Sequence, residues 1–157
     1  MAIGIRPATT KDIRQITRLW TELMEFHAEI DPRFAVGRRA AQTFPEFALR
    51  LIEGNDTTIL TAWDGEEMVG FISVGIQIAP PVLCYDRFGM IHDAAVTTRL
   101  RRAGIGEMLF QAARDWLKER DISIVQLSAA PCNPIAMGFW RKMGFHPYLE
   151  RLWYDIE

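Results

Sequence analysis

The chain has 157 residues, 49% of them apolar and 24% charged, with a net charge of −2. That length supports a single domain, residues 1–157, with a real core, and the charge balance argues against a general nucleic-acid binder. No apolar run is long enough to span a bilayer. Cys84 and Cys132 are too few for a disulfide framework and belong to no metal-ligand spacing.

The N-terminal stretch MAIGIRPATTKDI lacks the apolar core of a signal peptide, so a cytoplasmic setting is expected. Ile3 and Ile5 alternate with small or polar neighbours and predict a short strand ending at Pro7. Thr9, with Asp12 three residues on, predicts a helix N-terminus. Ile13, Ile16, Leu19, Trp20, Leu23 and Phe26 mark the apolar face that follows. The segment His27 to Thr43 is irregular. Thr43 and Glu46 form a capping-box pattern, Pro45 suits an early helical position and Gly54 suits a stop. A second helix is therefore expected near Phe44 to Glu53.

Two strands follow, TTILTAW and MVGFISVGIQI, joined by the turn signal Asp64-Gly65 and closed by Pro80-Pro81. FGMIHDAAV predicts a buried strand. It runs into RLRRAGIGEMLF and a helix from about Gly104 to Arg120. ISIVQLSA predicts a further strand, and Asn133 opens a short helix closed near Gly144. The tail FHPYLERLWYDI is strand-like, with Pro147 suggesting an edge or bulge. Its apolar edge makes a homodimer plausible. The order β-α-α-β-β-β-α-β-α-β predicts an α/β protein with a mixed sheet and helices on its faces.

The turn before the third long helix carries Arg99, Arg101, Arg102, Gly104 and Gly106. A helix N-terminus presents N–H groups without intrahelical partners and the positive end of the dipole. Glycine permits close backbone approach and arginine adds forked charged donors. Together they point to a site for phosphate or pyrophosphate.

Arg101-x-x-Gly104-x-Gly106 resembles the acyl-CoA loop Q/R-x-x-G-x-G/A of the GNAT superfamily of N-acetyltransferases. Asn133-x-x-Ala136-x-x-Phe139-Trp140-x-Lys142-x-Gly144-Phe145 resembles the family's second motif, N-x-x-A-x-x-F/L-Y-x-K-x-G-F. The resemblance extends to the Asp64-Gly65 hairpin and Val69-Gly70-Phe71, and so spans nearly the whole chain. It implies a mixed, mostly antiparallel sheet with one splayed parallel pair. It also implies acetyl-CoA as co-substrate, no metal, and direct acetyl transfer to a primary amine through a tetrahedral intermediate.

On this resemblance the cofactor side comprises Ala95, Val96, Thr97, Arg101, Arg102, Ala103, Gly104, Ile105, Gly106, Glu107, Asn133, Ala136, Phe139, Trp140 and Lys142. The N–H groups of about Arg102 to Glu107 would surround the pyrophosphate. Free groups near Ala94 to Thr98 would hold the pantetheine arm and the thioester oxygen. Glutamate at Gly104 or Gly106 is expected to abolish CoA binding with little loss of fold. Asn133 also suits a helix N-cap, and Cys132 reads as a small buried residue.

Direct transfer needs a base for the ammonium and benefits from an acid for the thiolate. Family members often place Tyr for the second role where this chain has Trp140, whose indole is no practical proton donor. Tyr148 is a weak acid candidate, with Tyr154 and Tyr85 behind it. Asp93 is the favoured base, acting through water, and a structural carboxylate is its bland alternative. His92 is the runner-up. Strand alternation would aim the two at opposite faces. The acceptor side would comprise Glu25, Glu29, Asp31 and Tyr85, and a small-molecule amine is favoured over a protein amine. The competing reading is a non-catalytic acyl-CoA-binding regulatory module. A P-loop nucleotide site is weaker, because the loop lacks the GKS/T ending.

Overall fold

The computed structural model describes residues 2–157. Its elements are β1 (Ile3–Pro7), α1 (Ile13–Ile30), α2 (Ala40–Glu53), β2 (Thr57–Asp64), β3 (Glu67–Ile78), β4 (Arg87–Val96), α3 (Ile105–Lys118), β5 (Val125–Leu127) and α4 (Pro134–Lys142). The strands form one sheet in the order β1-β2-β3-β4-β5. The first four are antiparallel and β5 is parallel to β4.

The apolar periodicities explain the layers. On one face, Ile105, Leu109, Ala113 and Leu117 of α3 meet Ile72, Val74 and Ile91 of the sheet. On the other, Ile16 and Leu19 of α1 and Phe44, Ala48 and Leu51 of α2 meet Ile59 and Phe71. Phe71 is fully buried, a burial worth about 2–3 kcal/mol. β2 and β3 turn through Gly65-Glu66, with Gly65 at φ 61. A glycine with positive φ in the first turn position matches the right-handed twist of the flanking strands.

The approach to α1 is fixed by a buried carboxylate. Asp12 is 5% exposed; it accepts a forked pair of bonds from Arg6 at 2.8 and 3.0 Å and another from the Thr9 N–H at 2.7 Å. Arg6 first, then the Thr9 N–H, hold its pKa below the ordinary carboxylate value despite burial. Because the folded pKa is the lower one, this contribution is present above the unfolded pKa and is lost as pH falls through the folded pKa. Asp12→Ala is expected to cost about 2 kcal/mol in urea unfolding at neutral pH. The difference from wild type should shrink in acid.

Three expectations need correction. First, α2 begins at Ala40, about one turn before Phe44. Thr43 does not cap it: its hydroxyl donates to the Arg39 carbonyl at 3.0 Å. Pro45 lies inside the helix and offers no N–H to the Ala41 carbonyl one turn back; Ala41 is an exposed residue, so water can take that place. Second, the strand expected over Ile122 to Ala129 is only Val125–Leu127.

Third, the final strand is not formed, and no regular element follows Lys142. Pro147 offers no N–H to a ladder. The tail instead carries Trp153 to the α1–α2 connection, where the Arg33 guanidinium lies 5.8 Å from its ring. The tail's Tyr148, Leu149, Leu152, Trp153, Tyr154 and Ile156 are 62% to 91% exposed. The apolar edge strand behind the dimer expectation is therefore missing. Among the described residues, no helix is long and apolar enough to cross a membrane.

Candidate active site

β4 and β5 pair over only three steps, Gly89↔Val125, Met90↔Gln126 and Ile91↔Leu127. β4 then runs on to Val96, bonded only to β3. The five residues beyond Ile91 leave a gap roughly 17 Å long, at about 3.3 Å per residue. The Thr97 N–H donates to the Val69 carbonyl at 2.8 Å. Antiparallel alternation then turns Thr97 and Ala95 back toward β3 and aims the N–H and C=O of Val96 and Ala94 into the gap. Of the strand residues expected to meet the cofactor, Val96 thus presents its backbone there, and Ala95 and Thr97 do not. Ala94 joins Val96.

The closed end of the gap carries a β-bulge. Ser73 pairs with Asp93 and Val74 with Ile91, so His92 is the extra residue. Strand alternation would have aimed His92 and Asp93 at opposite faces, but the bulge gives both the same one. Asp93 lies opposite Ser73, whose hydroxyl accepts its N–H at 3.1 Å. A side chain on Gly75, two residues along from Ser73, would meet the His92 Nε2 at 3.2 Å. That face is the one covered by α1 and α2, where Phe71 is buried. Burial pushes the Asp93 carboxyl up to about 6. Partial burial pulls His92 below its ordinary value. No group among the described residues donates to the Asp93 carboxylate, and burial is the cause of its shift.

The loop after β4 is a single 3₁₀ turn, Thr98–Leu100, followed by the start of α3. Arg102 has φ 65 and Gly104 φ 80, and such alternation of backbone hand turns successive N–H groups into one concavity. Met108 N–H donates to the Gly104 carbonyl at 3.0 Å. The N–H groups of Arg102, Gly104, Ile105, Gly106 and Glu107 have no acceptor among the described residues. They can hold a diphosphate at the positive end of α3.

The arginines divide their work. Arg99 pairs with Glu67 at 2.6 Å. Arg101 lays its guanidinium 5.3 Å from the Phe26 ring of α1, so it ties the loop to the opposite layer. Arg102 has no side-chain partner among the described residues and is the guanidinium free for an anion.

α4 closes the loop from the other side. Asn133 is 4% exposed, and its side-chain oxygen accepts the Ala136 N–H at 3.1 Å, an N-cap whose Pro134 sits at the first helical position. The Phe139 ring stands 3.1 Å from where a Cβ on Gly106 would be. Lys142 reaches Glu107 at 3.2 Å. Trp140 packs against Phe110, Phe139 and Phe145 at centroid distances of 5.9, 4.8 and 5.3 Å. Its indole is thus spent in an aromatic cluster on the α3 side. Cys132 is exposed rather than buried.

On the acceptor side, Glu25 and Glu29 are exposed and unpaired among the described residues. Asp31 is held by Arg33 at 2.6 Å, and that bond lowers its carboxyl to about 2. Tyr148 lies on the tail, 66% exposed, and its hydroxyl makes no hydrogen bond among the described residues. Tyr85, from the β3–β4 loop, accepts a hydrogen bond from Gln126 Nε2 at 3.1 Å. Among the described residues no group of His, Cys, Asp and Glu could hold a metal. Sequence reading missed the shared face of His92 and Asp93, the Arg101–Phe26 contact and the Gln126–Tyr85 bond. A bulge has no reliable residue signature, and the other two are contacts between distant segments.

The model of the acetyltransferase (GNAT) family matches residues 16–145. The chain belongs to the GNAT acetyltransferase family. That family transfers acetyl groups and uses acetyl-CoA as donor. No curated protein sequence matches the chain. A tetramutant of the BH1408 protein from Bacillus halodurans is 20% identical, with TM-score 0.86 over 98% of this chain and 99% of that one. The aminoglycoside 6'-N-acetyltransferase AAC(6')-IG from Acinetobacter haemolyticus is 16% identical, with TM-score 0.78 over 98% of each chain. AAC(6')-Iy, solved with a CoA-S-monomethyl-acetylneamine bisubstrate analogue, is 15% identical, with TM-score 0.75 over 100% of this chain and 99% of that one. At these identities the likeness establishes the GNAT fold. The five unpaired N–H groups and the open edge of β4 fit the diphosphate and the amide-bearing arm of such a donor.

Proposed function

We propose that this GNAT acetyltransferase moves the acetyl group of acetyl-CoA directly to the primary amine of a small, cationic molecule. The observation that carries the reading is the run of β4 past β5, with Asp93 at its closed end and the phosphate loop at its open end. Arg102 and the loop N–H groups, Gly104 to Glu107, would hold the diphosphate. Ala94 and Val96 would bond the pantetheine arm along the gap, and an N–H there would donate to the oxyanion as the carbonyl is attacked. A well-placed donor of this kind is worth roughly 3 kcal/mol in the transition state.

Asp93, raised to about 6 by burial, is ionised at neutral pH and still basic enough to take the ammonium proton through water. The unpaired carboxylates of Glu25 and Glu29 favour a cationic acceptor. Aminoglycoside acetyltransferases share this fold, which supports a small-molecule amine over a protein one.

The test is thiol release from acetyl-CoA with polyamines, amino acids, aminoglycosides and peptides. Amine-dependent release is expected, strongest with small polycations, and its rate should rise with pH as Asp93 ionises. Release with peptides alone would overturn the acceptor class. One observation favours the non-catalytic alternative, namely the packing of Trp140 where a proton donor often stands. Turnover with any amine would remove that alternative.

A further inference from the structure

The chain has three tyrosines. Tyr148 and Tyr154 are 66% and 87% exposed on the tail. Tyr85 alone is partly buried and anchored: its ring stands edge-on to Phe88 at 6.2 Å and its hydroxyl is bonded to Gln126 on β5. Gln126 is paired with Met90. Its neighbours Val125 and Leu127 pack into the core beneath α3, so alternation turns Gln126 to the opposite face, the face of Asp93 and His92. It is one step before the last β4–β5 pair. The phenol is therefore held at the closed end of the gap. The reacting thioester must lie there if the diphosphate is anchored at the other end.

We infer that Tyr85 is the proton donor to the departing CoA thiolate, and that Gln126 is its positioning residue. The inference rests on the proposed acetyl transfer. The amine nitrogen forms a bond to the carbonyl carbon and releases its surplus proton to water, the C–S bond breaks with its electron pair going to sulfur, and the Tyr85 hydroxyl proton passes to that sulfur. Water reprotonates the phenolate. Gln126 donates to the Tyr85 oxygen, which leaves the phenolic proton free to be given. The same amide N–H stabilises the phenolate afterwards. Trp140 then needs no acid function, because the role moves from α4 to the β3–β4 loop.

The experiment compares wild type, Tyr85→Phe, Gln126→Leu and the double variant. With an accepted amine, Tyr85→Phe should lower kcat about 100-fold and leave the KM for both substrates within about twofold. Gln126→Leu should lower kcat less, and the double variant should be no slower than Tyr85→Phe, because the two act as one unit. A rise in amine KM at unchanged kcat would make Tyr85 an acceptor contact and overturn the inference. Phe keeps the ring contact with Phe88, and an unchanged melting temperature certifies the fold.

A second readout needs no acceptor. The bound CoA thiol, followed by its thiolate ultraviolet absorbance, should ionise at lower pH in wild type than in Tyr85→Phe. Asp93 and His92 face the same end of the gap and are present in both proteins, so the difference isolates the phenol. Identical titrations would contradict the assignment even if no amine were turned over. Absence of turnover together with the expected titration shift would count against the proposed reaction alone.

Discussion

Asp93→Asn is expected to lower kcat at pH 8 by about 100-fold or more while making the protein more stable at that pH. Both effects come from one cause. Burial raises the Asp93 carboxyl from 3.8 to about 6, so the folded state prefers the protonated form. A group whose folded pKa exceeds its unfolded value stabilises fully below the unfolded pKa, and that contribution is lost as pH rises through the folded pKa. Between about pH 4 and 6, wild type therefore loses stability relative to the variant. At pH 8 the variant should be more stable by about 1–2 kcal/mol. His92 acts in the opposite direction, since its lowered pKa favours folding above its unfolded value. The variant retains His92, so the difference between the two proteins reports Asp93. Urea midpoints across this pH range check the sign. A variant equally active and less stable at every pH would make Asp93 purely structural.

Gly104→Glu is expected to weaken CoA binding by about 100-fold, or roughly 2.7 kcal/mol. Gly104 has φ 80, and nothing lies within 4 Å of an added Cβ. The substitution therefore costs the folded protein only the left-handed strain, about 1–2 kcal/mol. The carboxylate would share the concavity with the diphosphate. Gly104→Ala carries the same strain without the charge and should lose far less affinity. Gly106 is a different case from what its motif implies. A Cβ there meets Phe139 at 3.1 Å, so Gly106→Glu disturbs the packing of α3 on α4 and should lower the melting temperature as well. Titration calorimetry and thermal unfolding of the three variants separate the effects.

The parts of the site built on local backbone chemistry were legible in the sequence. Gly104 before an apolar helical face, Asn133 followed by Pro134, and Gly65 between two alternating runs each mark a geometry that few other residues accept. The parts set by tertiary partners were not. The extra residue at His92 reverses which side chains share a face, and no residue type there announces a bulge. Pro45 suggested a helix start, whereas the helix runs through it, and at the exposed Ala41 one turn back water can take the place of the missing N–H. The tail has an apolar strand-like composition, but a strand exists only where an edge receives it. Trp140 matched a motif position and turned out to be occupied by three phenylalanine rings.

The most direct test is amide hydrogen exchange of the wild-type protein with and without acetyl-CoA. Protection should appear at Ala94 and Val96, whose N–H groups face the gap, and at Arg102, Gly104, Ile105, Gly106 and Glu107, whose N–H groups have no acceptor among the described residues. Ala95 and Thr97, bonded to β3, should change little. Protection confined to other segments, or none at these amides at saturating acetyl-CoA, would contradict the assignment of the gap and the loop as the donor site.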